Sequence, residues 1–189
     1  KKKDVGFYVV IGNPPYLNIK GIRANDIEVA EYFKKESHRK IILEGRSAGG
    51  LLVGASMVMR PDLFDKVILG VPFVDIIASM SDANIPLTEG EYTEWGNPHN
   101  IEDYIYMKQY SPIDNIRNTS YPSTLILGGI SDPRVQYWEP IKFHQKLLDY
   151  KTDANQHFLK IELGSGHFGN SDKFKFIDDY SKQYTFMLS

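Results

Sequence analysis

One junction constrains the fold more than any other part of the chain. Residues 40–45, Lys-Ile-Ile-Leu-Glu-Gly, are a short and largely apolar run, the pattern of a buried strand. Arg46, Ser47, Ala48, Gly49 and Gly50 follow at once, and an apolar helix is predicted from about Gly49 to Met59, closed by Arg60-Pro61-Asp62. Gly45 to Gly49 spells G-x-S-x-G. The pattern is common by chance, but here it lies between a buried strand and an apolar helix. There a serine occupies a sharp turn, with glycines letting strand and helix approach closely. The Ala48 N–H, at the start of the helix, would face an oxyanion formed at Ser47. The plainer reading is a small-residue turn that only packs a helix on a strand.

The rest of the chain repeats the same grammar. Strands are predicted at Phe7–Ile11, Lys66–Pro72, Ser123–Gly128 and His157–Leu163. Helices are predicted at about Asp26–Lys35, Ile101–Gln109, Tyr137–Leu148 and Asp172–Leu188. Short apolar strands alternating with helices imply an α/β fold, with a mostly parallel sheet of about five strands and helices on both faces. The stretch from Asp75 to Tyr121 is polar and rich in turn formers, and a connection that long is usually functional or structured.

Composition narrows the function classes. Hydrophobic residues make up 42% and charged residues 24%, which is ordinary for a globular domain. The net charge of −2 favours neither a nucleic-acid surface nor an anionic membrane. No apolar run approaches the roughly 20 residues of a membrane span. The absence of cysteine removes disulfides and thiolate chemistry and fits a reducing compartment. Lys1-Lys2-Lys3-Asp4 has no apolar core or cleavage site behind it, so no signal peptide is expected. No histidine pair has metal-ligand spacing, so neither metal nor cofactor is expected.

A serine nucleophile needs a base, and the base needs an orienting carboxylate. In strand–turn–helix hydrolases the order is serine, acid, histidine, the acid and base each following a strand. Asp132 follows the strand ending at Gly128, and His167 follows the strand ending at Leu163, within Gly-Ser-Gly-His-Phe-Gly. His38, His99, His144 and His157 do not follow a strand in that order and are expected to be surface or packed residues.

From about Lys40 onward the chain resembles the oligopeptidase B group of the prolyl oligopeptidase family of serine peptidases. The strings are GRSAGGLLVGA, MRPDLF, GVPFVD, IPLTEGEYTEWGNP, YSPIDNI, SDPRVQYWEP, KLLDYKTD and SGHFG. The resemblance implies the C-terminal part of an α/β-hydrolase fold and a cytoplasmic peptidase cleaving short peptides after Arg or Lys. It implies Ser47 as nucleophile, Asp132 as acid, His167 as base and the Ala48 N–H as oxyanion donor. Arg134 would hold a substrate carbonyl, Phe73 would line the primary specificity pocket, and Glu91 would meet the basic side chain. The family's second carboxylate, two residues beyond, is Thr93 here; Glu94 is adjacent but would point to the other side of an extended strand. The family's upstream oxyanion tyrosine has no matching string.

Residues 5–16, Val-Gly-Phe-Tyr-Val-Val-Ile-Gly-Asn-Pro-Pro-Tyr, resemble instead the catalytic motif of adenine-N6 DNA methyltransferases. There Asn13 and the Pro14 carbonyl would accept from an adenine amino group, and Tyr16 would stack on a flipped base. No glycine-rich cofactor loop precedes the motif. The expected division is therefore an N-terminal segment, 1–38, and a partial peptidase catalytic domain, 39–189. The alternatives are an inactive truncated or chimeric hydrolase fragment and a methyltransferase remnant.

Overall fold

The computed structural model describes residues 7–12, 40–169 and 172–189. The Asn13–Tyr16 turn, the helix expected at 26–35 and His38 lie outside them. Among the described residues, five strands run in chain order across one sheet: β1 (Phe7–Gly12), β2 (Lys40–Arg46), β3 (Lys66–Gly70), β4 (Ser123–Gly129) and β5 (His157–Glu162). Every neighbouring pair is parallel, so all the strands end at the same edge of the sheet. β1 lies beside β2 in register, Val10 opposite Leu43 and Gly12 opposite Gly45, and is the outermost strand on that side among the described residues.

The central strands are apolar on both faces, as a doubly covered parallel sheet requires. On one face Ile41, Leu43, Val67, Leu69 and Ile126 pack against Val53, Met57 and Val58 of α1 (Ala48–Met59). Phe143 and Leu147 of α5 (Trp138–Tyr150) complete that layer. The alternate residues Ile42, Ile68, Leu125 and Leu127 face the other way and meet Phe186 and Met187 of α6 (Lys173–Leu188). Lys66 Nζ donates to the Phe186 carbonyl at 2.7 Å, placing a cation at the carbonyl end of α6. The α/β architecture with helices on both faces is therefore present.

The connection from Asp75 to Tyr121 is more structured than its composition suggests. It contains α2 (Ile76–Ser81), α3 (Tyr92–Trp95) and α4 (Ile101–Lys108), with a 3-10 turn at Glu89–Glu91. Only α4 is legible in the sequence, because Asn100 caps it, accepting from the Glu102 N–H at 2.9 Å. The others are too short to show a periodic apolar stripe. Together they cover a second core of Leu51, Phe73, Ile76, Met80, Met107, Tyr110 and Val135, beyond the carboxyl edge of the sheet.

Candidate active site

A parallel sheet gathers whatever follows its strands along one edge, and Ser47, Asp132 and His167 each follow a strand. Ser47 comes one residue after β2, the loop 71–75 after β3, Asp132 after β4 and His167 after β5.

Ser47 adopts φ 53° and ψ −123°, a left-handed backbone that non-glycine residues rarely take. Three contacts impose it. Its N–H donates to the Gly70 carbonyl at 2.9 Å, and its carbonyl accepts from Leu51 N and Phe73 N, both at 3.2 Å. The turn is possible only because Gly45 lacks a side chain. A Cβ there would stand 2.3 Å from the Gly49 carbonyl oxygen and 2.7 Å from Val53 Cγ2. Gly50 meets the same limit, with its Cβ position 2.7 Å from Pro72. Ala48 opens the 12-residue helix α1, whose first turn holds no acidic residue, so its first N–H groups keep their positive end toward Ser47.

Asp132 and His167 form a buried pair. His167 Nδ1 lies 2.8 Å from Asp132 Oδ2 and 3.1 Å from Oδ1. Asp132 Oδ1 also accepts from the N–H groups of Arg134 and Val135, at 2.8 and 3.0 Å. The two loops are clasped together: Ser131 N donates to the Ser165 carbonyl, and a Cβ at Gly129 would lie 2.6 Å from that same oxygen. With Nδ1 engaged, Nε2 is the nitrogen left to exchange a proton. His167 and Ser47 line one groove of about 620 Å³, together with Arg46, Val71, Gly166 and Phe168.

The groove continues along β4, β5 and α6, and the other expected residues, Arg134, Phe73, Glu91 and Glu94, are not among its lining. Arg134 is exposed, its guanidinium 5.5 Å over the ring of Phe168, which in turn stands edge-on to His167 at 5.3 Å. Phe73 is buried, joined to Ser47 through its backbone and to Trp95 by an edge-to-face contact at 5.7 Å. Trp95 Nε1 donates to Glu91 Oε2 at 2.9 Å. A connected path therefore runs from Ser47 through Phe73 and Trp95 to Glu91. Glu94 departs from the expectation. The segment is a 3-10 turn followed by α3, not an extended strand, so residues three apart become neighbours. Partial desolvation, and then the Glu91 charge, raise the Glu94 carboxyl above its ordinary range.

Two residues of this region escaped sequence reasoning. Trp95 stands four residues after Glu91, a helical spacing that could have paired them. Glu139 is fully buried in α5 and bonds to backbone groups more than 60 residues away, which no local pattern announces. Among the described residues no group of three or more His, Asp or Glu side chains could hold a metal ion, and no helix is long and apolar enough to cross a membrane.

A model of the prolyl oligopeptidase family matches residues 17–189. Protease 2 of Moraxella lacunata is 47% identical over 152 residues, covering 80% of this chain and 22% of that protein. Oligopeptidase B of Leishmania major superposes with a TM-score of 0.81 at 47% identity, over 84% of this chain and 22% of that one. Oligopeptidase B of Trypanosoma brucei, in a closed form with covalently bound antipain, superposes at 0.82 and 49% identity, over 86% and 23%. The chain thus spans less than a quarter of the length of these relatives. The family match runs through β2 to β5 and through both loops that carry Asp132 and His167, and on it the chain belongs to the prolyl oligopeptidase family.

Proposed function

We propose that this chain carries the nucleophile, acid and base of a cytoplasmic serine peptidase that cleaves short peptides after basic residues. The observation that carries the reading is the strained Ser47 turn at a helix N-terminus, sharing one groove with a histidine whose Nδ1 is held by a buried aspartate. His167 Nε2 takes the proton of Ser47 Oγ as the oxygen attacks the scissile carbonyl. The Ala48 N–H receives the oxyanion, and Asp132 stabilises the imidazolium. The proton then passes from Nε2 to the departing amine, and a water molecule hydrolyses the acyl-enzyme by the same route.

Arg134, exposed beside the base, suits a grip on a substrate carbonyl, since its guanidinium offers five fixed donors. Glu91 and Glu94, neighbours across one helical turn, suit a basic side chain entering beside Phe73. Similarity to a protein that holds covalently bound antipain supports a site able to form a covalent bond.

The test is labelling of the 189-residue chain by a small fluorophosphonate, together with turnover of a short arginine ester. Labelling at Ser47 that is lost in Ser47→Ala is expected. A second reading, an inactive hydrolase fragment, is favoured by the share of the relatives that the chain spans. Folded protein that takes up no label would establish that reading.

A further inference from the structure

Glu139 is fully buried, yet it is a carboxylate, and burying a charge is costly unless it is paired or multiply hydrogen-bonded. Its partners show what it holds. Oε2 accepts from two successive backbone N–H groups, Val74 and Asp75, each at 3.0 Å. Oε1 accepts from Ser79 Oγ at 2.5 Å. One turn further along α5, Lys142 pairs with the Asp75 carboxylate. A single helix therefore grips the loop after β3 twice, once by its backbone and once by a side chain. The same helix follows directly on the Asp132 loop, and Val135 of that loop packs in the cluster that contains Phe73.

The gripped loop is the one that shapes the site. It begins with Val71 at φ 40°, its Phe73 N–H donates to the Ser47 carbonyl, and the Phe73 ring contacts Trp95. We propose that Glu139 is a positioning residue. Its carboxylate sets the height of the 71–75 loop and so fixes the Phe73 wall, and the Trp95–Glu91 pair behind it, relative to Ser47. The proposal rests on the peptidase reading above for the meaning of that wall, but not for the geometry. An apolar residue in the same place would fill the volume and leave two backbone donors unpaired.

Two phosphonate probes separate the effects on the full chain. A small alkyl fluorophosphonate reports the reactivity of Ser47 alone. A diphenyl phosphonate bearing a guanidine side chain must also enter beside Phe73. Glu139→Asp, whose shorter side chain cannot reach the loop, is expected to slow the guanidine probe by about tenfold or more, as loss of hydrogen bonds to a charged group implies. It should change the small probe by less than about threefold. Glu139→Gln keeps one acceptor for the two N–H groups and can donate to Ser79 Oγ, so it should restore most of the guanidine-probe rate. Equal slowing of both probes, or none of either, would overturn the proposal. Trp95 emission in a Trp138→Phe background gives a readout independent of chemistry, with Glu139→Asp shifted and Glu139→Gln close to the parent. A wild-type chain that reacts with neither probe rejects the peptidase reading, and the emission arm still decides whether Glu139 holds the loop.

Discussion

Asp132 uses its two oxygens for different tasks. Oδ1 is occupied by the N–H groups of Arg134 and Val135, which hold the carboxylate in one rotation, and Oδ2 is the nearer partner of His167 Nδ1, at 2.8 Å against 3.1 Å for Oδ1. An asparagine would keep Oδ1 as its carbonyl oxygen, because the two backbone donors demand an acceptor there. Its NH2 group would then face Nδ1 and force the proton onto Nε2, the wrong tautomer for a base. Asp132→Asn is expected to fold normally and to lower the fluorophosphonate labelling rate by roughly four orders of magnitude; a loss under tenfold would remove Asp132 from the proposed mechanism. The order of Ser47, Asp132 and His167, after β2, β4 and β5, was legible because each sits in a glycine-rich or turn-forming string. The direction of Glu94 relative to Glu91 was not legible, for an equally physical reason. Its direction depends on whether residues 91–94 are extended or helical, and four residues carry too little periodicity to tell.

Strands and long helices left clear marks in the sequence, and short elements did not. β2 to β5 are apolar runs bounded by turn residues, and α1 follows from Ser47 and the two glycines. The ends moved by one or two residues: β3 stops at Gly70, where Pro72 was expected, and α5 runs on to Tyr150. The segments α2 and α3 exist because Ile76, Met80 and Trp95 find Phe73, Met107 and Tyr110, contacts created by the fold and not by local spacing. The tightest joint between elements is β2 on α1. Because the atom nearest a Cβ at Gly45 is the Gly49 carbonyl oxygen, backbone itself would have to move. Gly45→Ala is expected to cost about 1–3 kcal/mol, the usual range for overpacking, and to slow labelling of Ser47 as the elbow is pried open. Urea denaturation together with labelling kinetics checks both, and an unchanged denaturation midpoint would show that the joint is looser than these distances imply.

At the scale of the whole molecule, two buried titratable groups sit on opposite edges of the sheet and act on stability with opposite sign. Glu139 lies beyond the carboxyl edge. Desolvation outweighs its three hydrogen bonds and raises its carboxyl from 4.5 to about 7. His157 begins β5 at the amino edge, its side chain shielded from solvent, and neither ring nitrogen has a hydrogen-bond partner among the described residues. Asp153 Oδ1, at 3.7 Å, is too far to serve as one. Burial, and then the Lys151 charge, lower the imidazole from 6.5 to about 4. A carboxyl whose folded value is raised contributes stability that is complete below about 4.5 and is lost as pH rises through about 7. An imidazole whose folded value is depressed contributes stability that is complete above about 6.5 and is lost as pH falls toward about 4. Between those limits the two slopes oppose each other, so neither is visible in the wild-type profile alone. Differences between variants separate them, because contributions common to both chains cancel. Relative to wild type, Glu139→Gln should gain stability steadily from pH 5 to pH 7. His157→Leu should instead gain as pH falls from 7 to 5. Urea midpoints at three pH values suffice, and profiles parallel to wild type would show that the group concerned titrates alike in the folded and unfolded chain.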